Sequence, residues 1–142
     1  MLYLSRQVFC NTSFVLLCLW AGSAMAAGGA IPAVGQCDKP IWQDEFNGKE
    51  LDTSRWRHVP GDGCDQNLCG WGNGEEQWYL PENVKVADGV LRISAQRERH
   101  RGRKYTSGKI STEGRVSFVY GRIEARMKLP KGAGFWPAFW AM

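Results

Sequence analysis

The carboxylates of this 142-residue chain are the first candidates for chemistry, and two pairs of them are adjacent, Asp44-Glu45 and Glu75-Glu76. Adjacent side chains in a strand point to opposite faces of the sheet, so neither pair places a proton donor beside a nucleophile. Neither histidine stands next to a plausible nucleophile, and there is no G-x-S-x-G turn or phosphate-binding loop. The residues by themselves therefore reveal no catalytic group.

Aromatic rings close to amide and charged side chains form a second candidate, a carbohydrate-binding surface. Flat rings cover the apolar faces of sugars, while amides and charges hold the hydroxyl groups. Each ring could equally be a core residue of a β-sandwich, and this alternative stays open. The candidates are Trp71, Trp78, Trp136 and Trp140, with Asn73, Glu76, Gln77 and Lys109.

The net charge of +4 is concentrated in one run, Arg97 to Lys104, which contains five cations and one anion. A basic surface acting on nucleic acid or an acidic polymer is therefore a competing function. A single basic hairpin without interleaved aromatic residues lacks the stacking platform that binders of single-stranded nucleic acid use. We rank this function below carbohydrate binding and predict no nucleic-acid partner.

The amino terminus has the pattern of an export signal. Arg6 is followed by an uncharged stretch with an apolar centre at 14–21, and Ala24-Met25-Ala26 is a small-x-small cleavage pattern. The centre is too short to span ~30 Å of hydrocarbon as a helix, although a retained anchor is the alternative. We predict a cleaved signal peptide at 1–26, a linker at 27–40, and a secreted or periplasmic protein without stable membrane association after cleavage.

Export determines how the cysteines are interpreted. Signal cleavage leaves Cys37, Cys64 and Cys69. In an oxidising compartment, Cys64 and Cys69 can close a glycine-rich loop as a disulfide. Their spacing is not C-x-x-C, which disfavours a metal site. Cys37 is left over, either with a partner elsewhere or as a free buried thiol.

Short alternating segments separated by glycine turns dominate the rest of the chain. Residues 90–96 alternate apolar with polar side chains, and in 122–129 the residues Ile123, Ala125, Met127 and Leu129 share one face. This period is typical of half-buried antiparallel strands. Val116, Phe118 and Tyr120 form a third such set. The pattern predicts one all-β domain, a β-sandwich of jelly-roll type.

The carboxyl terminus, from Phe135 to Met142, is the most apolar stretch of the predicted domain and has no polar tail. A domain seldom finishes on an exposed strand of this kind. One-domain all-β enzymes commonly have ~200–250 residues. We interpret the chain as the truncated amino-terminal half of a domain.

Seven blocks of aromatic, acidic and glycine residues follow one another between Ile41 and Met142. The second of them reads W-G-N-G-E-E-Q-W-Y, and the last reads G-F-W-P-A-F-W. They occupy 42–48, 71–79, 82–84, 88–91, 105–110, 120–126 and 134–140.

In this order and spacing, the blocks resemble glycoside hydrolase family 16, and most closely its laminarinase-like endo-β-1,3-glucanases. The resemblance implies a jelly roll of the concanavalin A-like lectin and glucanase type, with a cleft for β-glucan and retaining hydrolysis. In the family, an E-x-D-x-x-E strand after the last block supplies both catalytic glutamates. We therefore expect them beyond Met142 and expect this chain by itself to be inactive. A non-catalytic β-glucan-binding module is the alternative.

The resemblance also implies roles for single residues. Asn73 and Glu76 match polar cleft positions, Trp136 and Trp140 match ring platforms, and Lys109 stands where the family usually has Arg. No cofactor is required for the reaction. A structural calcium is implied for the complete domain. The backbone oxygens of Glu45 and Gly89 would be two of its ligands.

Overall fold

A computed structural model describes residues 2–10 and 40–142 of the chain. Cys37, the predicted linker up to residue 39 and residues 11–26 of the predicted signal peptide lie outside the described residues. Within the described part, strands and three short 3-10 turns are the regular elements, which confirms the all-β prediction. The strands are β1 Leu2–Cys10, β2 Trp42–Asp44, β3 Arg57–His58, β4 Gln77–Tyr79, β5 Val84–Ala87, β6 Val90–Ile93, β7 Tyr105–Ser107, β8 Ile110–Ser111 and β9 Arg122–Lys128.

The largest sheet has five strands, and β1 lies at its centre. On one side β1 pairs with β2 and β6, and on the other side it pairs with β9, always antiparallel. The hairpin of β5 and β6 completes the sheet, with Val86 opposite Leu91. Strand β1 falls within the predicted signal peptide, and cleavage of that peptide stays a prediction.

The core lies against one face of this sheet. Its buried side chains come from β5, β6 and the segment after β2. The Trp56 ring packs edge-on against Trp42 and stacks on Phe46, with centroid distances of 5.3 and 5.9 Å. Trp56 Nε1 donates to Asp44 Oδ2 over 2.8 Å, so the buried indole has a partner. The cluster comprises Phe46, Leu51, Trp56, Val84, Val86 and Leu91.

Strand β9 shows the predicted alternation along its whole length. Ile123, Ala125 and Met127 are half-buried, and their neighbours are exposed. Ala125 and Met127 pack against the core cluster. The expectation fails at Leu129, which follows the strand and is 52% exposed.

The third predicted strand, through Val116, Phe118 and Tyr120, is wrong. The backbone N–H of Val116 donates to Thr112 O in a turn, over 3.1 Å, and is thereby withdrawn from sheet pairing. Tyr120 is 76% exposed. Three alternating apolar residues do not make a strand unless a neighbouring strand is placed to pair with them.

Residues 129–142, called the terminal segment below, contain no strand or helix. Nearly all of their side chains are exposed, and Trp136 keeps 92% of its surface in contact with solvent. The exposed strand predicted here is therefore wrong in its secondary structure, while the exposure itself is as predicted.

Two small sheets lie beside the large one. Strand β4 pairs with β7 in parallel, and β3 pairs with β8. A Cβ added at Gly108, between β7 and β8, would stand 2.5 Å from Val84 Cγ2, so glycine is required where this connection crosses the core. No helix in the described part of the chain is long and apolar enough to cross a membrane.

Candidate functional site

The candidate site begins with a loop in which several residues have a left-handed backbone conformation. Gly70, Trp71, Gly72 and Gly74 all have positive φ, and Trp71, at φ 52°, is the one that carries a side chain. Gly70 O accepts hydrogen bonds from the N–H of residue 73 at 3.1 Å and of Glu75 at 3.0 Å. A non-glycine residue in this region costs energy, so the surrounding contacts must hold Trp71 in place. The tight loop delivers Trp71 and Glu75 to the start of β4.

Three side chains at alternate positions then form a hydrogen-bonded network. Tyr79 Oη donates to Glu75 Oε2 over 2.5 Å, and Gln77 Nε2 lies 2.6 Å from the same oxygen. Gln77 Nε2 also donates to Tyr79 Oη at 2.8 Å. Residues at i, i+2 and i+4 of an extended segment share one face, which explains why these three meet. The bonds from Gln77 and Tyr79 end on Oε2 of Glu75, and Oε1 has no partner from these two.

Lys109 brings a cation to the same place. Its Nζ lies 3.6 Å from the centre of the Trp71 ring and 5.6 Å from that of Tyr79. Such a contact over an indole ring is a favourable cation–π geometry. We refer to Trp71, Glu75, Gln77, Tyr79 and Lys109 as the Tyr79 cluster.

Burial shifts the pKa values of two side chains in this cluster. Desolvation, followed by the hydrogen bond and negative charge of Glu75, raises the pKa of the Tyr79 hydroxyl above its usual range. The hydroxyl therefore stays a proton donor at neutral pH. Desolvation lowers the pKa of Lys109, and the charge of Glu75 opposes that shift. The cluster thus holds one carboxylate, Glu75, close to neutral and cationic donors.

An ion pair behind the loop supports the cluster. Arg103 donates to Asp62 Oδ2 from Nε at 2.9 Å and from Nη2 at 2.7 Å, and its Nη1 reaches Glu75 O at 3.3 Å. The hydrogen bond from Arg103 lowers the pKa of Asp62, and burial opposes the shift. Next to Asp62, a disulfide joins Cys64 with Cys69, the pair predicted from the sequence. Arg103 therefore links its own segment of the chain to Asp62, beside the disulfide loop, and to Glu75, just before β4.

The predicted sugar-contact residues are placed unequally. Lys109 is part of the Tyr79 cluster, whereas Asn73 and Glu76 have exposed side chains on the preceding loop. Trp136 and Trp140 lie in the terminal segment and are 92% and 62% exposed. The roles of all five residues stay predictions.

Two members of the cluster, Glu75 and Tyr79, were missed by the reasoning from sequence. It assigned the sugar contact to Glu76, the second of the two adjacent glutamates in the block W-G-N-G-E-E-Q-W-Y, and not to Glu75. The signal that would have found them is the alternation of Glu75, Gln77 and Tyr79 along one extended segment.

The calcium prediction involves the two loops at Glu45 and Gly89. These loops approach each other, since a Cβ built on Gly89 would lie 3.6 Å from Asn47 Oδ1. The carboxylate of Asp44 is engaged by Phe46 N and Trp56 Nε1, at 2.8 Å each. Among the described residues, no group of three or more His, Cys, Asp or Glu side chains could hold a metal ion. These residues do not form a six-oxygen calcium site by themselves, and the site stays a prediction.

Comparison with known families assigns the chain. Residues 41–142 match the family described as "Beta-glucan synthesis-associated protein SKN1/KRE6/Sbg1". The chain belongs to this family. As a SKN1/KRE6/Sbg1 member it is related to glycoside hydrolase family 16, and the predicted resemblance to that family is confirmed.

Two curated relatives of this SKN1/KRE6/Sbg1 chain are bacterial glucanases. It is 45% identical over 113 residues to glucan endo-1,3-beta-glucosidase A1 of Niallia circulans, covering 72% of this chain and 17% of the relative. It is 42% identical over 106 residues to a beta-glucanase of Rhodothermus marinus, and this match covers 72% of this chain and 35% of the relative. The chain therefore spans about a third or less of the length of these curated relatives.

A solved structure supports the fold of this SKN1/KRE6/Sbg1 chain. The laminarinase of Flavobacterium sp. UMI-01 superposes with a TM-score of 0.51 and 47% identity, over 58% of this chain and 34% of that one. The predicted jelly-roll class is confirmed.

Proposed function

We propose that this chain is the amino-terminal part of a secreted endo-acting β-1,3-glucanase that hydrolyses β-glucan with retention. The Tyr79 cluster carries this proposal, because it combines an indole ring, an amide, a carboxylate and an ammonium group on one surface. This combination suits a sugar with an apolar face and many hydroxyl groups. The predicted signal peptide at 1–26 is the reason for proposing export.

Two polar groups of the cluster are suited to hold sugar hydroxyls. Both internal hydrogen bonds of Glu75 end on Oε2, so Oε1 can accept from a hydroxyl group. Lys109 Nζ has three donors and can give one to a sugar oxygen while keeping its contact with the Trp71 ring. Asn73, Glu76, Trp136 and Trp140 are proposed as further contacts, as the resemblance implies.

The chemical step requires two carboxyl groups. In a retaining enzyme they lie ~5–5.5 Å apart, one attacking the anomeric carbon while the other protonates the leaving oxygen. The Tyr79 cluster contains one carboxylate, Glu75, which is occupied by Gln77 and Tyr79. We propose that residues following Met142 in the complete protein supply the nucleophile and the acid/base. Water then releases the glycosyl-enzyme intermediate with the acid acting as base.

The test uses the full-length protein and laminarin. Proton NMR of the first product should show the β-anomer, as retention requires. The variant Glu75→Gln keeps the shape of the side chain but removes its charge, and loss of a charge-assisted hydrogen bond costs about 1.5–3 kcal/mol. Titration calorimetry with a laminarin oligosaccharide should detect this loss. The exposed Glu82→Gln is the charge-matched control.

Glu76→Gln distinguishes the cluster from the residue predicted by sequence. Loss of affinity with Glu76→Gln and none with Glu75→Gln would contradict a sugar-binding role for the Tyr79 cluster. The α-anomer as first product would contradict retention.

A non-catalytic β-glucan-binding protein is the second candidate. The association of the matching family with β-glucan synthesis favours it. Tight laminarin binding without hydrolysis by the full-length protein would support this candidate over the enzyme.

A further inference from the structure

The run of cations seen in the sequence forms a hairpin with two different faces. Gln96 and Thr106 exchange backbone hydrogen bonds of 2.8 and 3.0 Å, and His100 and Arg103 exchange bonds of 3.1 and 2.9 Å. We refer to residues 96–106 as the basic hairpin. Its two arms are thus held together at both ends of the run.

The inner face of the first arm consists of the even-numbered residues. Gln96 Nε2 donates to Asn83 Oδ1 at 2.8 Å, and Glu98 accepts from Thr106 Oγ1 at 3.1 Å. The His100 ring lies 5.5 Å from the Trp78 ring. Since alternate residues of an extended arm point to opposite sides, these contacts turn Arg97 and Arg99 outward. Arg101 stands in the turn and lies over the same Trp78 ring as His100.

The outer face is cationic. Arg97, Arg99, Arg101 and Lys104 are all exposed, and Arg103 is the cation turned inward to Asp62. Glu98, the acid of the run, is also exposed, and its Oε2 accepts a hydrogen bond from Thr106. Cations at i and i+2 of an extended arm are separated by about 6.6 Å. The result is a row of exposed positive charges on an ordered backbone.

This row adjoins the Tyr79 cluster across one strand. Trp78 lies in β4 between Gln77 and Tyr79, and alternation directs it away from both. The Arg101 guanidinium lies over the Trp78 ring, 5.4 Å from its centre. Arg103 ties the hairpin to the cluster through Asp62 and Glu75 O. The basic hairpin therefore contacts the far side of the strand that carries Gln77 and Tyr79, and Arg103 attaches it to the cluster's own segment.

We propose that the outer face of the basic hairpin binds a polysaccharide carrying sulfate or carboxylate groups. The polysaccharide class rests on the proposed function, in which the adjacent cluster holds a glycan. Arginine presents a planar fork of donors that suits both anionic groups. The hairpin is already held by backbone bonds, so binding need not order it. Among Phe, Tyr and Trp, the basic hairpin contains Tyr105 alone, whereas binders of single-stranded nucleic acid stack successive bases on several rings.

The test compares two triple variants of the full-length protein with equal charge loss. R97Q/R99Q/K104Q removes three exposed cations of the hairpin and leaves Arg103 in place, and K49Q/K85Q/K131Q removes three exposed cations elsewhere. Affinity is measured for dextran sulfate, polygalacturonate, neutral dextran and oligo(dT), at several salt concentrations. Laminarin hydrolysis and thermal unfolding are measured for each protein.

The wild-type protein should bind at least one of the two anionic polysaccharides and not neutral dextran. For that polymer, the hairpin variant should lose about tenfold or more in affinity, and the slope of log affinity against log salt should fall by about two. The control variant should keep both. Laminarin hydrolysis should be the same in all three proteins, which separates this proposal from the proposed function.

Equal losses in the two triple variants would overturn the proposal, because binding would then follow net charge alone. Binding of oligo(dT) as tight as that of the polysaccharides, at matched anion concentration, would instead indicate a nucleic-acid surface. Absence of binding to both anionic polysaccharides by a folded wild-type protein would also overturn it.

Discussion

The Tyr79 cluster and the terminal segment contain similar residues in very different surroundings. In the cluster, the rings of Trp71 and Tyr79 lie 6.1 Å apart, and a carboxylate, an amide and an ammonium group hold them. In the terminal segment, Trp136 and Trp140 are largely exposed. Sequence chemistry assigns both regions to sugar binding.

The difference between them shows what makes aromatic residues into a site. Stacking on a sugar needs rings held at fixed positions, because ordering a free side chain on binding costs about 0.5–1.5 kcal/mol each. Strand β4, its partner β7 and the Arg103–Asp62 pair supply that order for the cluster. The terminal segment has no strand pairing of its own in the described structure.

The largest expected effect comes from expressing residues 27–142 alone. This chain should show no laminarin hydrolysis and should not behave as a stable monomer. In a jelly roll, strands from distant parts of the domain interleave across two sheets, so without the rest of the proposed domain the half-buried Ile123, Ala125 and Met127 lose cover and strand edges lose hydrogen-bond partners. Unpaired strand edges, together with the exposed aromatic terminal segment, favour aggregation. Sedimentation and thermal unfolding measure the outcome.

Residues 1–142 are the control for inactivity, because they add the predicted signal peptide but no further carboxylate pair. This longer chain should be equally inactive. A soluble monomer of 27–142 with a cooperative transition would contradict the predicted dependence on missing strands. Specific activity in either chain would contradict the placement of the catalytic glutamates beyond Met142.

A pair of substitutions in the full-length protein sharpens the comparison between packed and exposed residues. Leu91 is 1% exposed, and Leu91→Ala should lower the free energy of unfolding by about 2–5 kcal/mol. Trp136 is 92% exposed, and Trp136→Ala should change the free energy of unfolding by less than about 0.5 kcal/mol. Denaturant unfolding measures both values.

The same Trp136→Ala protein should bind a laminarin oligosaccharide more weakly by about 1.5–3 kcal/mol, comparable to losing burial of a large apolar side chain. Unchanged affinity with lowered stability would instead make Trp136 a core residue of the complete protein.

The smallest expected effect concerns the stability that the Arg103–Asp62 ion pair provides at low pH. Arg103 lowers the pKa of Asp62 below 3.8, so the ionised pair stabilises the fold fully above about pH 5. That contribution is lost as the pH falls through the lowered pKa, because the folded state must then take up the proton. Asp62→Asn should lower the melting temperature at pH 7 and reduce its decline between pH 5 and 3.

Asp65→Asn is the control, since Asp65 is an exposed carboxylate of the same loop. It should keep the wild-type decline. An Asp62→Asn protein with an unchanged pH profile would mean that the pair does not stabilise this region.

Much of the fold was predictable because burial leaves a local pattern. The alternation in β9 and the hairpin at Asp88-Gly89 follow from side-chain direction and from the turn preference of glycine. The strand expected through Phe118 failed because alternation does not reveal whether a partner strand exists. Glu75 was missed for a related reason. Alternation along the segment does not show which of its two faces lies next to Lys109, and that decides between Glu75 and Glu76.

The sequence by itself determined the all-β class, the family and the concentration of charge in residues 97–104. These properties reside in residue types and in periods of two, which are local. Only the tertiary structure decided that Arg103 turns inward to Asp62 while its neighbours stay exposed, and that Lys109 lies over Trp71. These contacts join residues 41 and 38 positions apart, and no local period encodes them. They depend on the parallel pairing of β4 with β7, which brings the two parts of the chain together.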